Sequence, residues 1–438
     1  MTKGASMRAL ANVVGAIGVC VAIGCGGDDG PSGPVKVGLL APKTGALMEV
    51  GESFERVAIV AVDSINAKGG IGGRDLELIV EDTETNADTA GAKLQGLIDQ
   101  GVVAVVGPAT SGEVTNAWPV ARDNRVPIIS PSSTAPSLSR PAPTGPDDDG
   151  YMFRNVPDDE IQGIAMAYYL KTLRTPQVSN VAVLFENSPY GIGLKNAFKT
   201  SFEDLTGVVA LEVPFEQNLV DAAAATPAID SLVNASPQPE MVVLIALEQD
   251  AVKLVSAWDN SGSPRIADMQ WFMTDGARSG GFLSAAPMSL RGMCGTAPTF
   301  PVNGLAYTEL QTAYEASYDD SIDAQVFAPN VWDGFHLLAA AMVHQSVNHS
   351  GEDLGGANLR DAITTVSRDG QTFHAGQWRD LISALRSRND VDYDGAAGPN
   401  DFDVVGQTVG PYEVWCIAGD GASFTQALFL DAADIQAL

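Results

Sequence analysis

Basic residues are scarce in this 438-residue sequence: 25 lysines and arginines stand against 54 aspartates and glutamates, a formal net charge of −29. Such a surface repels phosphate backbones, which disfavours nucleic acid as a partner, and the acidity reads as a source of solubility. Histidine is rarer still. His336, His344, His349 and His374 are the only four; none falls in a His-Glu-x-x-His pattern, and the step from His344 to His349 suits neither one helix face nor a familiar metal site. There is no Gly-x-Ser-x-Gly elbow and no Gly-x-x-x-x-Gly-Lys-Ser/Thr phosphate loop, and the run Gly191-Ile192-Gly193 lacks a third glycine where a dinucleotide fingerprint needs one. With no constellation for nucleophilic, metal-assisted or cofactor chemistry, neither an enzyme nor a cofactor is expected. Solenoid-length repeats are absent too.

Long apolar runs are also missing, with one exception near the start. Lys3 and Arg8 precede a stretch over 9–24 that is small and apolar apart from Asn12. It is too short for a comfortable membrane span and has the length of a signal-peptide core. The stretch ends in Ala22-Ile23-Gly24-Cys25, followed by Gly26-Gly27-Asp28-Asp29-Gly30-Pro31-Ser32-Gly33-Pro34. This resembles a bacterial lipobox, although Ala22 stands where leucine is usual. The resemblance implies a signal peptide over 1–24, lipid on Cys25 and a polar tether over 25–34. A plain secretory signal or an uncleaved anchor is the rival reading, and each of the three exports the chain. Of four cysteines, Cys20 falls in the signal and Cys25 takes the lipid. Cys294 and Cys416 remain, and one disulfide or two buried thiols both fit.

The length suggests two domains, and 45% apolar with 18% charged residues is an ordinary globular composition. From Val35 onward, short apolar runs alternate with helical periodicity. Residues 35–40 read as a buried strand; Phe54, Val57, Ala58, Ala61, Val62 and Ile65 mark one face of a helix. Strands at 76–80, 102–106 and 126–130 alternate with helices at 87–100 and 114–121. A second series follows the acidic loop 147–149: helix 161–173, strand 181–185, helix 193–205, then strands at 208–213, 241–246 and 271–274 with helix 251–258 between the last two. Two such series mean an α/β chain of two doubly wound, parallel-sheet lobes. Ligands bind beyond the carboxyl ends of such strands, which directs attention to the loops that follow them.

At those loops stand Ile65-Asn66-Ala67-Lys68-Gly69-Gly70-Ile71-Gly72-Gly73-Arg74 with Glu81-Asp82, then Val106-Gly107-Pro108-Ala109-Thr110-Ser111-Gly112. Further on come Ile128-Ile129-Ser130-Pro131-Ser132-Ser133-Thr134, Tyr151-Met152-Phe153-Arg154, Tyr190-Gly191-Ile192-Gly193, and Gly395-Ala396-Ala397-Gly398 through Phe402-Asp403. In number, order and spacing these pieces resemble the type I periplasmic binding proteins of the leucine/isoleucine/valine-binding group, over 35 to about 424. The resemblance implies two Rossmann-like lobes, 35–155 plus 299–409 and 156–298 plus 410–438. Three hinge crossovers near 153–157, 292–298 and 410–415 would join them. Cys294 and Cys416 would then lie on neighbouring crossover strands, where a disulfide would staple the hinge. It also implies a monomer that captures an amino-acid-like ligand outside the cytoplasm and delivers it to an ABC-transporter permease. Contact with the membrane would be through the lipid anchor only.

An amino acid presents a carboxylate and an ammonium on one carbon, so its site needs donors on one side and an anion on the other. Ser111 sits after a strand at a helix start, where backbone N–H groups and the helix dipole favour a carboxylate; a plain helix cap explains the same serine. The resemblance assigns Ser132 and Thr134 to the ligand's ammonium and carboxylate, against a Ser/Thr turn bonding its own backbone. It assigns Asp275, at a strand end, to the ammonium, against a cap for residues 276–278. Tyr190, after the strand 181–185, would form an apolar or stacking wall, against a half-buried aromatic at a lobe edge. Val50 and Glu248 match positions where the family carries aromatic side chains. A carboxylate at Glu248 would make the side-chain subsite more polar than a leucine pocket, and Trp332 would restore one aromatic wall or belong to the core. These departures keep an amide, a urea-like compound or an aromatic acid open as ligands. A sensory module of the same fold, and an envelope protein without a ligand, remain as other classes.

One further motif stands apart. Asp390, Asp392 and Asp394, followed by Gly395 and with Asp401 at the twelfth place, imitate a calcium-binding EF-hand loop. Aspartate rather than glutamate in the last place, Pro399 within the loop and strand-like sequence after it favour a structural turn, so no metal is expected.

Overall fold

The computed structural model describes residues 33–139, 147–319, 321–322 and 325–438. The signal stretch, Cys20, Cys25 and the tether up to residue 32 lie outside the described residues.

The first sheet is built from β1 (Val35–Ala41), β2 (Leu76–Asp82), β3 (Val105–Val106), β4 (Ile128–Ser130) and β5 (Met152–Arg154), in the order β2-β1-β3-β4-β5. Every pair is parallel, with Val35 opposite Leu76 and Gly38 opposite Val105. Near-continuous apolar strands such as β1 belong in a sheet covered on both faces. Helix α1 (Met48–Ala67) covers one face, burying Phe54, Val57, Ala58, Ala61, Val62 and Ile65, the stripe that the sequence marks at helical spacing. Helices α2 (Ala87–Asp99) and α3 (Ser111–Asn124) pack together around a second core cluster containing Leu94, Leu97, Val105 and Ile128. The strand expected over 102–106 pairs only at Val105–Val106, because a run of buried apolar residues does not mark where ladder bonds begin.

The second sheet takes its strands from two stretches of the chain. Strands β6 (Asn180–Glu186), β7 (Val208–Phe215), β8 (Met241–Ile245), β9 (Gln270–Met273) and β10 (Cys294–Pro298) are parallel. Between them lie α4 (Asp159–Tyr168), α5 (Pro189–Asp204), α6 (Thr226–Val233), α7 (Glu248–Asp259) and the short α8 (Gly280–Ala285). After β10 the chain forms α9 (Leu305–Ser317), α10 (Ala328–Asn348), α11 (Gly356–Val366) and α12 (Trp378–Arg386). Helix α10 is buried nearly all round, against α1 on one side and β3 on the other. Gly334 permits that approach, since a Cβ there would meet the Val106 side chain at 3.1 Å.

A small sheet follows, of β11 (Gln371–Phe373), β12 (Val391–Gly395) and β13 (Gly398–Pro399). The calcium-like pattern falls here, and 391–399 folds as a β-hairpin, in keeping with the structural turn expected from the sequence. The hairpin turn points its Ala396 and Ala397 N–H groups at the buried Asp333 carboxylate of α10, at 2.7 and 2.8 Å. Among the described residues, no group of three or more His, Cys, Asp or Glu side chains is placed to hold a metal ion.

The chain then returns to the second sheet as β14 (Tyr412–Ile417) and β15 (Phe424–Leu430), both antiparallel, before α13 (Ala432–Gln436). Cys294 and Cys416 face each other in register on β10 and β14, and their sulfurs are joined in a disulfide. Where the chain leaves the first sheet, the buried Arg154 guanidinium donates to the carbonyls of Ser133 and Ala135 at 2.8 and 3.0 Å and reaches Gln407 and Ser139. It thereby ties the exit of β5 to the passage towards β14. Burial disfavours its charge, and the neighbouring Asp158 offsets part of that cost.

Candidate ligand-binding cleft

The carboxyl ends of both parallel sheets open on one cleft, the place where a doubly wound sheet presents its loops. Hydrogen bonds cross its mouth. Asn218, beyond β7, accepts from the Ala46 N–H at 2.8 Å and donates to the Thr85 carbonyl at 2.9 Å, and the Gln249 N–H donates to the Ala46 carbonyl at 3.0 Å. Behind these bonds lies about 480 Å³ of space outside the protein's atoms, part of it open to solvent.

On the first-sheet side, Gly107 turns the chain out of β3 at a φ of +104°, where a Cβ would run into the Leu40 carbonyl. The turn delivers Thr110 as the N-cap of α3, in a reciprocal capping box with Glu113. The cap is thus Thr110, and Ser111 is left free of that duty in the first turn of the helix. Ser111 lines the cavity, and its hydroxyl accepts from the Ala135 N–H at 3.1 Å. Ser132 also lines the cavity, although its hydroxyl donates back to the Ala109 carbonyl at 2.8 Å. Thr110 and Ser111 bring the start of α3 to the cavity wall, where the positive end of the helix dipole favours a carboxylate.

The opposite wall is acidic. Asp275, beyond β9, is buried, and its Oδ1 accepts from Gln162 Nε2 at 2.9 Å and from the Tyr190 hydroxyl at 3.0 Å. Tyr190 also meets the Thr274 hydroxyl at 2.8 Å, so it orients the aspartate as well as forming wall. Burial pushes the Asp275 carboxyl up to about 6, against the pull of its two donors. Asp159, the first residue of α4, is fully buried, and neither of its oxygens has a hydrogen-bond partner. The Thr134 hydroxyl, itself unpartnered, lies alongside and eases the charge without bonding geometry. Desolvation and then the Asp275 charge raise the Asp159 carboxyl well above the usual carboxylate range. Two neighbouring buried carboxyl groups, each made costly to ionise by desolvation, make a place where a cation is strongly favoured.

Residues 34–414 match the sequence profile of the family described as "Periplasmic binding protein". The chain belongs to the periplasmic binding protein family. Members of that family bind solutes outside the cytoplasm. This member is 33% identical over 174 residues to the Leu/Ile/Val-binding protein BraC3 of Rhizobium johnstonii, covering 38% of this chain and 43% of that one. It is 27% identical to the chemotactic signal transduction system substrate-binding protein BasB of Halobacterium salinarum, over 92% of both chains. Several matches are partial: this chain spans about half the length of the curated relatives, 54% and 43% for two of them. Among solved structures, the branched-chain amino acid transporter substrate-binding protein LivJ of Streptococcus pneumoniae, in complex with isoleucine, superposes with a TM-score of 0.71. It is 22% identical and covers 91% of this chain and 99% of its own. That likeness establishes the type I fold.

Within this binding-protein cleft the structure brings together Ser111, Ser132, Tyr190 and Asp275. Thr134 stands behind the wall beside Asp159. Glu248 and Trp332 do not line the cavity. Glu248 opens α7 but turns away, bonding Ser279 and Gln249 beneath Gly281, so its carboxylate belongs to the packing of α7 on α8. Trp332 is core, its ring 4.4 Å from that of His336, and Val326 and Phe327 take the wall position just ahead of α10. Sequence reasoning misses Asp159, Glu186 and Arg278. Asp158-Asp159-Glu160 is a run of acids at a helix start, and the cap proper is Asp158, so nothing local marks the middle residue as the one turned inward.

Proposed function

We propose that this periplasmic binding protein closes its two lobes, 35–155 plus 299–409 and 156–298 plus 410–438, over the main-chain groups of an α-amino acid. The observation that carries the reading is Asp159, a buried carboxyl without a single donor, set beside Asp275. A ligand α-ammonium would give both carboxyl groups the positive partner that the protein withholds. Its carboxylate would rest on the first turn of α3 and Ser111. An aromatic acid without an ammonium would leave the two acids uncompensated, so the site favours amino acids over benzoate-like ligands. The ligand would then touch both lobes, the condition for shifting an open–closed equilibrium. No chemistry is performed. Delivery goes to an ABC-transporter permease, with the protein held at the membrane by lipid on Cys25.

A thermal-shift screen of the purified protein against α-amino acids, amides and aromatic acids tests this directly. An amino acid at a hundredfold excess over its Kd should add about 2.7 kcal/mol of stability. Hits confined to compounds without an ammonium would overturn the reading.

A second reading keeps the ligand and changes the partner. The match to the chemotactic substrate-binding protein over 92% of both chains favours a sensory role, in which the closed form docks on a receptor. Cross-linking in membranes separates the two by the molecular identity of the captured partner.

A further inference from the structure

We infer that Glu186 is a specificity residue that reads a cationic end on the ligand's side chain, so that the favoured ligands are amino acids carrying a second ammonium. This rests on the α-amino-acid reading above and deepens it. Glu186 ends β6 and lines the cavity at only 1% exposure, and its Oε2 has no hydrogen-bond partner. The walls around it are apolar, with Leu47, Val50 and Leu247 closing the same space. A carboxyl group placed so costs stability unless something charged or donating meets it.

The surroundings supply no cation to Glu186 and add to the demand for one. The charges acting most strongly on Glu186 are Asp250, at the start of α7, Glu113, across the cleft in the first turn of α3, and Glu216, beyond β7. All three are acidic. Ser188 offers the one side-chain donor that eases it, and burial still pushes the carboxyl up to about 8. Glu113 repeats the pattern from the opposite lobe: it is fully buried, its Oε1 is unpartnered, and burial raises its carboxyl too. Arg278, a cationic side chain in the cavity wall, donates through Nε to Glu413 at 2.7 Å, while its Nη1 has no hydrogen-bond partner. Closing the lobes therefore buries Glu186 among acids of both halves. A ligand carrying a second ammonium would relieve that arrangement where a leucine side chain would not.

Ornithine and norleucine test the inference, because their side chains have the same length and differ in a terminal ammonium against a methyl. Isothermal titration of the purified full chain should give ornithine at least tenfold tighter binding than norleucine. Glu186→Gln should erase that preference by weakening ornithine, with norleucine still binding. The norleucine titration also shows that the variant folds, and Glu186→Asp, which keeps the charge, should retain part of the preference. Norleucine binding as tightly as ornithine would overturn the assignment and leave the amino-acid reading standing. A preference that survives Glu186→Gln would do the same, and so would an equal loss of both ligands in that variant. Binding of neither amino acid to the unaltered protein would overturn the amino-acid reading itself.

Discussion

Two buried aspartates, Asp333 and Asp159, have the same chemistry and opposite surroundings. Asp333 lies inside α10 and receives the Ala396 and Ala397 N–H groups and the Tyr393 hydroxyl at 2.7, 2.8 and 3.2 Å. Its task is finished within the protein, since it pins the 395–400 turn to the helix. Asp159 is as deeply buried and receives nothing. A fold does not keep an unsatisfied carboxyl group for stability, because leaving a buried polar group unpaired costs about 1–3 kcal/mol, and more when it is charged. On the function proposed above, the contrast separates an acid that builds the molecule from one that awaits a partner.

The largest expected effect is on affinity. Asp159→Asn or Asp275→Asn should weaken binding of an α-amino acid by about 2–5 kcal/mol, roughly thirtyfold to several-thousandfold. Titration calorimetry measures it. An unchanged affinity in both variants would place Asp159 with Asp333 among structural acids and dissolve the contrast.

Next in size is the reverse experiment. Asp333→Ala strands two backbone donors and a phenol, so it should cost about 3 kcal/mol of folding stability. Denaturant unfolding reads that loss, and the Kd of the remaining folded protein should stay unchanged. A collapse of affinity with intact stability would break the comparison from the other side.

The contrast also explains what the sequence discloses. The stripe from Phe54 to Ile65 is legible because helical periodicity repeats over several turns, and Asp275 is legible because it ends a strand at the sheet edge where ligands bind. Asp159 is not, since three consecutive acids at a helix start satisfy the capping rules whichever of them turns inward. The Asp390 to Asp401 pattern is legible as a turn, but what the turn is for is not. Its spacing is local, but the group that its backbone wraps is Asp333, some sixty residues earlier. Glu248 is singled out by its place in the family pattern, whereas its turn towards Ser279 depends on how α8 packs. Periodicity and element ends are written locally; the direction of a single side chain is settled by tertiary neighbours.

A smaller effect concerns pH. In the free protein Asp275 is pushed up to about 6, so below that value it holds a proton that a ligand ammonium must displace. Affinity should rise with pH, by about tenfold between pH 5 and pH 7 for one such proton. Calorimetry in buffers of different ionisation enthalpy should show proton release on binding near pH 6. A flat affinity over that range would mean that the ligand does not bring its charge to Asp275.

The smallest effect is the most discriminating, because it opposes the usual outcome of mutating a buried residue. The folded-state pKa of Asp275 lies above its ordinary value of 3.8, at about 6. For such an acid, folding is favoured most while the group is protonated, and that advantage is lost as pH climbs from about 4 through 6. At pH 7 the ligand-free protein therefore carries the full cost of a buried charge. A shift of about two units sets an upper bound near 3 kcal/mol. Replacing the carboxylate with an amide removes that cost but weakens the bonds from Gln162 and Tyr190, which returns part of it. Asp275→Asn should thus raise ligand-free stability by about 1 kcal/mol at pH 7, and the gain should vanish at pH 4. Thermal unfolding at the two pH values decides it. A lower melting temperature at pH 7 would show that Asp275 holds its lobe together as Asp333 does, whereas a higher one alongside lost affinity marks an acid kept at the expense of the empty fold for the charge that the ligand brings.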